Sequence, residues 1–136
     1  MSKTSVTAAG FVAEYKSAFP EALCEVERRV LGSDFGSSGF TTRTQADALQ
    51  IALNLGPEDR LLDIGSGRGW PGLYLAGRSG CRLTSVDLPV AGLAHARSRA
   101  RREGVSAASS QVVANGRWLP FCPRSFDAIV HADVLC

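Results

Sequence analysis

The sequence predicts an α/β fold, and three observations carry that expectation. From Arg60 onward, short apolar segments alternate with helical segments of about 10 to 15 residues, the pattern of βαβ units. The first apolar segment, RLLDIG, runs directly into Gly65, Gly67 and Gly69 and then into a helical pattern. Gly80 and Gly104 close the two helical segments that follow. Strands of this kind form a parallel sheet with right-handed crossovers.

The elements follow in order. Val6 to Phe19 places Phe11, Val12, Tyr15 and Phe19 at helical spacing. Pro20 suits the first turn of a second helix, with an inner stripe of Leu23, Val26 and Val30 and a stop at Gly32. Residues 32–42, GSDFGSSGFTT, read as a loop, either a linker or a lid in which Phe35 and Phe40 face a pocket. A third helix begins near Thr44, where T-Q-A-D matches a capping box, and runs through Leu49, Ala52 and Leu55 to Gly56-Pro57. Then come a strand at 60–65, a helix at 70–79, a strand at 81–87, a helix at 89–103 and a strand at 110–114. A fourth strand covers FDAIVHADVL at 126–135. The chain thus divides into an N-terminal helical segment, 1–57, and a Rossmann-like part, 58–136.

Composition narrows the function. With 136 residues, 45% of them hydrophobic, the chain can bury roughly two-thirds of its unfolded surface. A net charge of +2 is too small to point to nucleic acid or a membrane surface. No run reaches the roughly 18 apolar residues of a membrane span, and MSKTSVTAAGF lacks the apolar core of a secretion signal. Cys24, Cys81, Cys122 and Cys136 form no C-x-x-C pair and make no zinc spacing with His95 and His131. They read as thiols in a reducing compartment, so the expected location is cytoplasmic. Arg97, Arg99, Arg101 and Arg102 share one helix, which reads as a solvated face rather than an RNA-binding patch.

The chemistry lies in the turns. In Asp63-Ile-Gly65-Ser-Gly67-Arg-Gly69-Trp70, glycines let backbone N–H groups and a helix N-terminus approach a ligand. The dinucleotide fingerprint needs glycines at 65, 67 and 70; here the third stands at 69 and Trp70 takes its place, which argues against NAD or FAD. Asp87 lies 22 residues beyond Gly65, at the end of the second strand. A carboxylate there can accept from both hydroxyls of a ribose, or it can cap the following helix. Asn115-Gly116, after the third strand, can offer an amide to an adenine edge or form a bare turn.

These residues resemble the N-terminal two-thirds of a class I S-adenosylmethionine-dependent methyltransferase of the small-molecule group that includes ubiquinone and menaquinone biosynthesis enzymes. LLDIGSGRGW is similar to that family's first motif, VDLP to its ribose-binding position, VVANGRWLPF to its adenine-side motif and SFDAIVHADVL to the next strand. The resemblance spans 58–136. It implies S-adenosyl-L-methionine as cofactor and transfer of its methyl group by direct displacement to a small-molecule acceptor. It implies that Gly65, Ser66, Gly67 and Gly69 line the methionine part, with Asp63 reaching its amino group. Asp87 would hold the ribose, Leu88 would pack on the adenine, and Asn115 with Gly116 would meet the adenine edge. Asn115 stands where the family usually has Asp. His131, at the end of the fourth strand, is the candidate general base; a core histidine is its other reading.

HADVLC lacks the Asn- or Asp-Pro-Pro-aromatic motif of adenine and glutamine N-methyltransferases. Cys122 with its neighbouring prolines precedes the strand that cytosine C5 enzymes follow with Pro-Cys. The family's last three strands lie beyond Cys136, which leaves the fourth strand at an edge and predicts self-association. The alternative function is a truncated cofactor-binding module without turnover.

Overall fold

The computed structural model describes residues 13, 19–36 and 39–134. Residues 6–12 and 14–18 of the first expected helix lie outside the described residues, as does Leu135 of the last expected strand. Two helices come first, α1 (Glu21–Val30) and α2 (Arg43–Leu53). They are followed by β1 (Arg60–Ile64), α3 (Gly72–Ser79), β2 (Arg82–Asp87), α4 (Val90–Arg102), a 3-10 turn (Ser106–Ala108), β3 (Ser109–Val113) and β4 (Ala128–Val130).

The described strands form one sheet in the order β3-β2-β1-β4, all parallel. In register, Asp63 lies opposite Ser85 on one side and Val130 on the other. Asp87 lies opposite Val113. The C-terminal ends of all four strands therefore share one edge of the domain, where open α/β sheets bind ligands. Leu61, Leu62, Leu83 and Val86 of the two central strands are buried. Leu73, Leu75 and Ala76 of α3 and Leu93, Ala96 and Ala100 of α4 supply further buried side chains, at spacings that keep one helix face apolar.

Three expectations are corrected. The helix at 43–53 is capped by Thr42, not Thr44: Gln45 N donates to Thr42 Oγ1 at 3.2 Å and Thr42 N donates back to Gln45 Oε1 at 2.8 Å. Asp47, the other half of the expected box, instead accepts from the Tyr74 hydroxyl on α3. On α1 the expected inner stripe of Leu23, Val26 and Val30 is exposed. The buried residue of that helix is Glu27, 4% exposed, whose Oε2 accepts from Gly36 N at 2.7 Å. The Gly36 N–H holds the Glu27 carboxyl in the interior, and the aliphatic stripe of the helix turns outward. Finally, β4 is three residues long instead of ten, because the chain leaves the sheet after Val130 and turns at Asp133 with φ 58°. Among the described residues β4 pairs only with β1.

The loop expected as a lid is divided. Phe35 is buried, packed on Trp70 with centroids 4.8 Å apart and covered by the Arg99 guanidinium 4.0 Å from its ring. Arg99 also donates to Asp34 O at 2.7 Å, so one of the four arginines on α4 holds the loop. Phe40, by contrast, is 81% exposed. Residues 37 and 38 lie outside the described residues.

Candidate cofactor site

The glycine turn is anchored to the neighbouring strand before it reaches α3. Gly65 N and Ser66 N both donate to Val86 O, at 2.8 and 3.1 Å, and Gly69 N donates to Ser66 O at 2.8 Å. Gly65, Gly67 and Gly69 have φ of 70°, 52° and 100°, a region that residues with a side chain rarely enter. Two of these glycines also serve packing within the protein. A β-carbon on Gly65 would overlap Val134, and one on Gly69 would overlap Leu73. Ser66 is buried, and its hydroxyl has no hydrogen-bond partner among the described residues.

Asp87 completes the turn. Its Oδ2 accepts from Gly67 N at 2.7 Å and its Oδ1 from Leu88 N at 2.8 Å. The carboxylate at the end of β2 is thus fixed beside the glycines at the end of β1, with one lone pair left on each oxygen. Leu88 follows with 52% of its surface exposed. Ala114 N donates to Asp87 O at 3.1 Å, which brings the Asn115-Gly116 turn to the same place. In that turn Asn115 Oδ1 accepts from Arg117 N at 2.9 Å, so the asparagine organises its own loop. Gly116 is close to β1: a β-carbon there would come within 3.1 Å of Ile64 Cγ2.

Asp63 is 1% exposed. Its Oδ2 accepts from Gly72 N, in the first turn of α3, at 3.1 Å. Burial pushes its carboxyl up to about 8, against a downward pull from the Gly72 N–H and a further upward push from the charge of Asp87. Near neutral pH the favoured form is the neutral acid, which can donate a proton as well as accept one. His131 follows β4 directly and is exposed, so it is not a core histidine.

The structure therefore brings Asp63, Gly65, Ser66, Gly67, Gly69, Asp87, Leu88, Asn115, Gly116 and His131 to one edge of the sheet. Sequence reasoning missed Gly72, which must be small because a β-carbon would overlap Asp63 Oδ2. It also missed Trp70, whose Nε1 donates to Thr41 O at 2.9 Å, and Asp133, which binds the same stretch of chain. A glycine in the first turn of a helix, just after Trp-Pro, was the available signal for the first; the other two are contacts between distant segments.

A family model described as a methyltransferase domain matches residues 62–136. The chain belongs to the methyltransferase domain family. Its relatives include botryococcene C-methyltransferase of Botryococcus braunii, 32% identical over 108 residues, 79% of this chain and 28% of that one. The 24-methylenesterol C-methyltransferase 2 of Oryza sativa subsp. japonica is 28% identical over 95 residues, 70% of this chain and 26% of that one. The chain spans about a quarter of the length of these curated methyltransferases. Among solved structures it is similar to geranyl diphosphate C-methyltransferase from Streptomyces coelicolor A3(2), in complex with Mg2+, geranyl diphosphate and S-adenosyl-L-homocysteine. That likeness has a TM-score of 0.55 and 28% identity, and covers 71% of this chain and 39% of the other. Among the described residues, no helix of this family member is long and apolar enough to cross a membrane.

Proposed function

We propose that the chain binds S-adenosyl-L-methionine at the strand ends and serves methyl transfer to a small-molecule acceptor. The observation that carries this reading is the Asp87 carboxylate, held by Gly67 N and Leu88 N beside the glycine turn, with a free lone pair on each oxygen for a ribose diol. The residues fit the cofactor in two further respects. The buried Ser66 hydroxyl has no partner among the described residues, and Leu88 leaves half of its apolar surface exposed next to Asp87.

On this reading Gly65, Ser66, Gly67 and Gly69 line the methionine part, and Asp63 faces its amino group. Asp87 takes the ribose, Leu88 packs on the adenine, and Asn115 with Gly116 borders the adenine edge. When bound, the cofactor supplies an electrophilic methyl group. The chain's residues orient it, exclude water and leave the acceptor side open at the end of β4, where the exposed His131 imidazole can take a proton from the acceptor. The acceptors named for the three relatives, 24-methylenesterol, botryococcene and geranyl diphosphate, support a small molecule as acceptor. The free thiols of Cys24, Cys81 and Cys122 support a reducing, cytoplasmic location.

Calorimetric titration with S-adenosyl-L-homocysteine tests the reading, with Asp87→Ala as the control. Binding with a Kd on the order of micromolar, abolished by the substitution, is the expected outcome. A folded protein that binds nothing would refute it.

A further inference from the structure

Asp133 sits just past β4, in the left-handed region with φ 58°, and reaches a segment 92 residues away. Its Oδ2 accepts from Phe40 N at 3.0 Å, from Thr41 N at 3.1 Å and from Thr41 Oγ1 at 2.8 Å. Gly39 makes the approach possible, since a β-carbon there would overlap the same carboxylate oxygen. The far side of this stretch is held as well. Thr41 O accepts from Trp70 Nε1, and Trp70 directly follows the last glycine of the turn. The next residue, Val134, packs where a β-carbon of Gly65 would lie. One carboxylate therefore links the end of β4, the stretch 39–42 and, through Thr41 and Trp70, the glycine turn.

We infer that Asp133 is a positioning residue for the cofactor site: it holds residues 39–42 against Trp70 and keeps the Gly65–Gly69 turn in its binding geometry. The inference rests on the reading that this turn binds the cofactor. Three donors on one charged oxygen make a strong anchor, because each bond is charge-assisted. The anchor closes a ring of interactions through three separate segments, so loosening it releases the Trp70 indole and, with it, the C-terminal end of the turn. The hydrogen-bonded route from Asp133 to the glycine turn runs through Thr41 and Trp70.

The chain has two tryptophans, Trp70 and the exposed Trp118. In a Trp118→Phe background, Trp70 is the sole tryptophan emitter and reports the state of the anchor without any ligand. Asp133→Asn keeps a residue that tolerates the left-handed region and removes the charge; Thr41→Val removes one of the three donors from the other end. Both variants should shift Trp70 emission to the red and raise its quenching by acrylamide, with a larger change for Asp133→Asn. The Kd for S-adenosyl-L-homocysteine should rise by about tenfold in Asp133→Asn, the scale expected when the charge assistance that holds a binding geometry is removed. Unchanged quenching in both variants would overturn the anchor, and changed quenching with unchanged affinity would overturn its role in binding. If the unmodified protein binds no S-adenosyl-L-homocysteine, the cofactor reading itself fails, and quenching in the Trp118→Phe background still decides whether Asp133 anchors Trp70.

Discussion

Replacing Asp63 with asparagine should remove most of the pH dependence of stability between pH 5 and 7. The carboxyl is 1% exposed, holds one backbone N–H from Gly72 and stands near the charge of Asp87, which together place its ionisation at about 8 in the folded state. In the unfolded chain it ionises near its ordinary value of 3.8. Between those two values the folded state carries a proton that the unfolded state has lost, so stability is greatest below pH 4 for this group. It falls as pH rises, by about 1.4 kcal/mol per pH unit, and levels off above about 8. From pH 5 to 7 the loss is about 3 kcal/mol. Asparagine matches the neutral acid in shape, still offers an oxygen to Gly72 N and does not titrate. Urea denaturation of both proteins at pH 5, 6 and 7 measures the difference. The variant should gain on the parent by about 3 kcal/mol over that range, with unchanged dependence on urea concentration. Parallel stability curves would show that Asp63 is ionised in the folded protein and would refute the dominance of burial over its ionisation.

Two further predictions concern packing and the sheet edge. Gly72→Ala and Gly77→Ala make the same change on one helix with opposite results. The first drives a β-carbon into Asp63 Oδ2 and should cost about 1–3 kcal/mol, whereas the second meets only Val105 Cγ1 at 3.7 Å and should be neutral or stabilising by up to about 1 kcal/mol in thermal denaturation. The outer edge of β4 carries the exposed Ile129, so the chain should self-associate at high concentration and Ile129→Lys should reduce this. A monomeric sedimentation mass for the unmodified chain would count against the edge as a pairing surface.

The order of strands and helices was legible because it is written locally, in apolar runs and the glycines that end them. Gly80 caps α3 in the left-handed region, and β1 and β2 begin and end within a residue or two of expectation. The strand ends then bring Asp63, Asp87 and Asn115 together without further information, since parallel pairing in register leaves their positions little freedom. What failed depended on distant partners. T-T-R-T-Q-A-D contains two overlapping capping patterns, and only the hydroxyl of Tyr74, which takes Asp47, separates them. The apolar spacing of α1 shows a stripe but not the direction it faces; Gly36 N, by binding Glu27, decides that. The apolar run after Phe126 reads as one long strand because nothing local reveals that Asp133 turns back to Thr41.

The fixing of Asp87 by two backbone N–H groups has an energetic consequence. A free aspartate loses rotamer freedom when it captures a diol, at a cost of about 0.5–1.5 kcal/mol for an immobilised side chain. Here that ordering has already occurred during folding, since Gly67 N and Leu88 N hold both oxygens at 2.7 and 2.8 Å. A glutamate at this position would carry the same charge on a longer stem. It could not meet both N–H groups and present the same pair of lone pairs, so on the proposed reading of Asp87 as the ribose holder the length of this one side chain would matter as much as its charge.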